Sequence, residues 1–150
     1  MERRKVLRSI GSVAVLGVAG CSSQFTSRPK LDLSVENYRD VAAELFIEVV
    51  ARDASNRSDG VMYQEWVEVP ANSVGDDQWR LDDFATARPC RIEVRVRNRE
   101  RGAKTYHYHY VPDCTDDDAQ FDPRVDLVLD PHSGLSFGQT TCSGTVASAP

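Results

Sequence analysis

Apolar and polar residues alternate along most of this chain, in short runs separated by turn residues. Leu31, Leu33 and Val35 alternate with polar neighbours; Leu45, Ile47 and Val49 alternate with Glu44 and Glu48, while Phe46 and Val50 interrupt the polarity. Val61, Tyr63, Val67 and Val69 share one parity that Glu65 breaks, which points to a β-bulge there. Ile92, Val94 and Val96 alternate with Arg91, Glu93, Arg95 and Arg97, and Tyr106, Tyr108 and Tyr110 alternate with His107 and His109. Val125, Leu127 and Leu129 follow, then Leu135 and Phe137. Successive side chains leave a strand on opposite sides, so a period of two predicts strands with one buried and one wet face. Asn98–Gly102 predicts a hairpin between the arginine and tyrosine strands, and Asp130–Gly134 another turn. Asn72–Arg88 reads as a long polar connection whose Trp79, Leu81 and Phe84 form a short strand or an edge crossover. No stretch carries a 3.6-residue period and no segment repeats. The expectation is all-β: an antiparallel β-sandwich of seven or eight strands over residues 29–142, with an up-and-down barrel as the competing closure. Residues 143–150 are small and polar and are expected to be a disordered tail.

The first 20 residues do not share this pattern. Arg3, Arg4, Lys5 and Arg8 precede an apolar run from Ile10 to Gly20 that is too short to span a bilayer. That combination predicts a cleavable signal peptide over residues 1–20. Arg3-Arg4 followed by Val6-Leu7 resembles a twin-arginine export signal, and Val18-Ala19-Gly20-Cys21 resembles a lipobox. The lipobox resemblance implies cleavage before Cys21 and a diacylglyceryl group on its thiol. Two acyl chains anchor stably where one does not. Residues 21–28 are then a lipidated flexible tether, and the protein is expected on the outer face of the cytoplasmic membrane, at the cell surface.

With 150 residues there is room for one domain, which excludes a TIM barrel or a Rossmann enzyme with a second domain. The net charge of −5 hides an asymmetry: the basic leader masks a chain that is −8 from Cys21 onward, with only Lys30 and Lys104 as lysines. An acidic, lysine-poor, arginine-using surface suits high salt, which screens its self-repulsion. A GC-rich genome is the alternative source of that composition. Taken with the leader, the aromatic strand that leads into a cysteine (Tyr106–Cys114), the following hairpin and the terminal Cys142, the chain resembles small twin-arginine lipoproteins of halophilic archaea with one immunoglobulin-like domain. The resemblance implies an immunoglobulin-like β-sandwich and little about activity. Cys90 and the long acidic loop over residues 114–121 depart from it.

Three cysteines remain after Cys21, an odd number in an oxidising compartment. Cys114 and Cys142 flank the last hairpin; Cys90 and Cys114 flank the preceding one, where Cys90 would face about Val111. The family resemblance favours Cys114–Cys142, which leaves Cys90 as a buried or intermolecular thiol.

Candidate chemistry is sparse. His107 and His109 share a strand face and could hold a metal with His132 or an aspartate, or simply face solvent. The run Asp116–Asp118 with Asp113 and Asp122 lacks the glycine turn and terminal glutamate of an EF-hand loop. Asn56-Arg57-Ser58 is an N-glycosylation sequon. There is no nucleophile elbow and no phosphate loop, so no enzyme, catalytic residue or cofactor is expected. Residues 88–104 carry a net +5 within this acidic chain. Arg91, Arg95 and Arg97 with His107 and His109 would form one basic face, either paired with the protein's own carboxylates or binding an acidic glycan, a lipid headgroup or an acidic protein. Nucleic acid is not expected. The reading is a membrane-anchored extracytoplasmic lipoprotein, a binding or structural module of unassigned ligand. The alternative is a small metal-binding or redox accessory lipoprotein using His107 and His109.

Overall fold

The alternating runs become strands. The computed structural model describes residues 29–97, 102–113, 122–140 and 146–149. Within them run β1 (Lys30–Asn37), β2 (Ala43–Ala51), a single helical turn α1 (Arg57–Gly60), β3 (Val61–Val69) and β4 (Trp79–Thr86). β5 (Cys90–Val96), β6 (Lys104–Tyr110), β7 (Arg124–Asp130), β8 (Gly134–Thr140) and β9 (Val146–Ala149) complete the order. One sheet is ordered β4-β1-β7-β8-β9 and the other β3-β2-β5-β6. Leu33, Val125 and Leu127 of the first sheet share one buried cluster with Leu45, Ile47, Ile92 and Val94 of the second. Two sheets with one core between them make a sandwich, and the barrel is set aside.

Several expectations change. The sandwich is not wholly antiparallel: β1 runs parallel to β7, from Asp32↔Arg124 to Asn37↔Leu129. Those two strands are joined through the opposite sheet, so no short turn forces them to run in opposite directions. An immunoglobulin constant domain places its first two strands in one sheet. Here β1 and β2 lie in opposite sheets, so the likeness is one of architecture and not of strand order. The described residues hold nine strands instead of seven or eight. The extra one is β9, which pairs antiparallel with β8 in the segment expected to be a disordered tail.

The bulge expected at Glu65 is elsewhere. Pairing with β2 is unbroken from Ala43↔Val69 to Val49↔Tyr63, and the register shifts one step later, at Met62. Glu65 sits opposite Ile47 on the inward side of an edge strand yet remains exposed, an inward charge of the kind that discourages edge-to-edge pairing. Phe46 and Val50 broke the alternation because both lie on the outer side and are covered there. Phe46 lies under the Arg95 guanidinium, 4.8 Å from its ring centroid. Val50 lies beside Gly60 of α1, where an added Cβ would come within 3.1 Å of Val50 Cγ1 and 2.7 Å of Ala54 Cβ. The Asn72–Arg88 connection contains a full edge strand, β4, whose register shifts between Leu31 and Leu33. Asp83 takes a left-handed φ of 52° there, and its N–H donates to Asp32 Oδ1 at 2.7 Å.

Asn37 fixes the end of the sandwich. It is fully buried; its Nδ2 donates to Val41 O at 3.0 Å and Pro70 O at 2.8 Å, and its Oδ1 accepts from the Arg39 N–H at 3.1 Å. The β1–β2 turn is therefore held in place by a side chain satisfied from inside.

Candidate functional site

The expected basic face exists as the outer side of the β3-β2-β5-β6 sheet. Register stacks its side chains in rows: Trp66, Phe46, Arg95 and Thr105; then Gln64, Glu48, Glu93 and His107; then Val50, Arg91 and His109. His107 and His109 are exposed, and Tyr106, Tyr108 and Tyr110 alternate with them toward the interior, as the sequence predicts.

The middle row changes the electrostatics. Glu48 is 3% exposed and Glu93 9%, and they face each other across β2 and β5. Like charges at directly opposed positions repel. Arg57 of α1 reaches over the sheet and bridges them: its Nη2 donates to Glu48 Oε1 and lies 3.8 Å from Glu93 Oε2. Gln64 Nε2 donates to Glu48 Oε2 at 3.2 Å. Glu93 also gathers Arg95 Nε at 3.3 Å, Arg91 Nη2 at 3.8 Å and His107 Nδ1 at 3.7 Å. Arg97 pairs with Glu44 at 2.6 Å and stacks over Trp66, 4.5 Å from its ring centroid. Arg91 and Arg95 thus share Glu93 and Arg97 has Glu44, and the partners are glutamates rather than the abundant aspartates.

Among the described residues no three His, Cys, Asp or Glu side chains are grouped to hold a metal, and His132 lies in the β7–β8 turn, at the end of the sandwich. Cys90 is buried, and burial pushes its thiol up to about 12 against a smaller opposing pull from Arg88. Its cross-strand partner is Tyr110, one residue from the expected Val111. Asn56 is exposed at the N-cap position of α1, and its Oδ1 accepts from the Ser58 hydroxyl at 3.1 Å. Arg3, Arg4, Cys21, Cys114, Cys142 and the acidic run 116–118 lie outside the described residues.

A second feature has no signal in the sequence. Where the β1–β2 turn, the start of β6 and the β7–β8 turn meet, a cleft of about 630 Å³ opens between Arg39, Asp40 and Val41 on one side and Lys104, Tyr106 and His132 on another. Gly134 forms part of its wall with a φ of 96°, and a Cβ there would come within 2.6 Å of the Tyr106 hydroxyl. Arg39 and Lys104 stand 65 positions apart in the chain, and only the register of three separate elements brings them together. No helix of the described residues is long and apolar enough to cross a membrane. Comparison of the chain with protein-family models, with curated proteins and with solved structures yields no match.

Proposed function

We propose that the chain is a membrane-anchored extracytoplasmic lipoprotein whose β-sandwich is a binding module at the cell surface. The signal peptide ends at Gly20, Cys21 carries the lipid, Arg3-Arg4 direct export, and Cys114–Cys142 is the disulfide. The observation that supports this reading most directly is how close the first described strand lies to Cys21 in the chain. β1 starts at Lys30, nine positions after Cys21. An extended chain of that length reaches about 30 Å, so the anchor would hold the sandwich within a domain's width of the bilayer. On the outer sheet face Arg91, Arg95 and His107 share Glu93 and Arg97 pairs with Glu44, so an anion at Arg91, Arg95, Arg97, His107 and His109 would compete with these internal carboxylates. Replacing Cys21 by serine tests the anchor. The variant should leave the membrane fraction after a high-salt wash, and a variant that stays with the membrane would refute the assignment.

A further inference from the structure

Of the arginines and lysines among the described residues, Arg57, Arg88, Arg91, Arg95, Arg97 and Arg124 pair with a carboxylate, whereas Lys30, Arg52, Arg80 and the two at the end cleft do not. Arg39 and Lys104 have no carboxylate partner among the described residues; Lys104 Nζ lies only over the Tyr106 ring, 4.7 Å from its centroid. The Arg39 Nε is buried and makes no hydrogen bond; the Arg124 Nε, also buried without one, still has the Asp126 carboxylate at 2.7 Å, whereas no carboxylate among the described residues pairs with Arg39. A buried, unsatisfied donor is costly and uncommon in a folded protein, and its usual explanation is a missing partner. The backbone that carries Arg39 is fixed. Its N–H is bound by the buried Asn37, its carbonyl accepts from the Asn72 N–H at 2.9 Å, and the preceding Tyr38 N–H donates to Leu129 O at 2.9 Å.

We infer that this cleft binds a small organic monoanion, a carboxylate carried on a sugar-sized body. Among the described lining residues, Arg39 and Lys104 are opposed only by Asp40, which gives one surplus positive charge. One surplus charge suits a carboxylate better than a doubly charged phosphate. The planar guanidinium fork also fits a carboxylate in bidentate fashion. Val41 and Val96 give apolar contact, while the Tyr106 and Ser133 hydroxyls give polar contact, and a polyhydroxylated ring presents both. The cleft is of ordinary size for a small-molecule site. Gly134 keeps it open, because a side chain there would meet Tyr106 and enter the space.

This rests on the binding-module reading but not on the anchor, and the test separates the two. The full mature chain in detergent is titrated with sodium glucuronate, with glucose and with inorganic phosphate, following the Gly102 and Gly134 amide resonances. Glucuronate should shift both saturably, glucose should not, and phosphate should bind more weakly. Arg39→Gln should weaken glucuronate binding at least tenfold, since hydrogen bonds to charged groups are the strong ones. Lys104→Gln, at an exposed position, should weaken it severalfold and serves if Arg39→Gln fails to fold. Arg95→Gln, on the sheet face, should leave it unchanged. No saturable shift with glucuronate, tighter binding of phosphate, or full affinity in Lys104→Gln would each overturn the proposal.

Discussion

Replacing Arg57 by alanine removes the cation that, among the described residues, bridges both buried glutamates of the outer sheet face. Glu93 would keep Arg95 at 3.3 Å, with Arg91 and His107 slightly farther away. Glu48, at 3% exposure, would keep, among the described residues, only the Gln64 amide at 3.2 Å. Its carboxylate would then sit opposite Glu93 without a bridging charge. Removing one partner of a fully buried pair costs about 3–5 kcal/mol, whereas exposed pairs are worth about 0–1 kcal/mol. The Arg57 side chain is 53% exposed and that of Glu48 4%, so the pair lies between these limits. The expected loss is about 2 kcal/mol, or a fall in Tm of roughly 6–10 °C for a domain of this size. Denaturant titration followed by Trp66 and Trp79 fluorescence measures it. Adding Glu48→Gln to the Arg57→Ala variant removes the stranded charge and should recover about half of the loss. A fall in Tm below about 2 °C for Arg57→Ala, or no recovery in the double variant, would refute the bridging role.

Gly134→Ala should cost about 1–3 kcal/mol, because its φ of 96° is unfavourable for any side chain and the new methyl meets the Tyr106 hydroxyl; thermal melts measure this. Cys90 should resist maleimide at pH 8 in the native state and react once the chain is unfolded, since burial holds its thiol protonated. Non-reducing peptide mapping of the mature chain should recover Cys114 joined to Cys142 with Cys90 free. Burial, then a hydrogen bond to Glu65, raises the Tyr63 hydroxyl from 10.0 to about 12, and Tyr108 and Tyr110 are also raised by burial. The native state therefore holds these protons longer than the unfolded chain does. The Cys90 thiol, raised from 9.0 to about 12, starts this loss earlier than the tyrosines, so stability should decline between about pH 9 and 12, as equilibrium unfolding across that range will show. Stability that rises with pH in this window would contradict the assignment.

Period-two alternation was enough to find β2, β5 and β6, because each buries one clean face against the other sheet. It misled at β4, where the register shift against β1 puts Trp79 and Leu81 on one parity and Phe84 on the other. It also misplaced the β3 bulge, since Glu65 looks like a break in parity but keeps its pairing with Ile47. The cross-strand match of Cys90 was off by one because a hairpin's centre cannot be fixed to a residue by composition alone. The glutamate row was visible as residues and not as a site. Glu48 and Glu93 read as wet positions, yet both are buried, with Arg57 of α1 bridging them. The end cleft was illegible for the same reason: neither Arg39 nor Lys104 belongs to a local motif.

The parallel β1–β7 pairing bears on how the domain carries load. β1 is the first strand after the proposed anchor, and it is bonded on both sides, to β4 and to β7. A pull entering from the lipidated end runs along the strand axis and loads both ladders in shear, so their bonds must fail together instead of unzipping singly. The Ser34 hydroxyl adds a side-chain tie to Asp126, 92 positions away, at 2.5 Å. Forced unfolding is governed by the unfolding rate. A tug from the proposed anchor would therefore load the two β1 ladders along their length, while β3 and β6, the edges of the other sheet, stay out of that path.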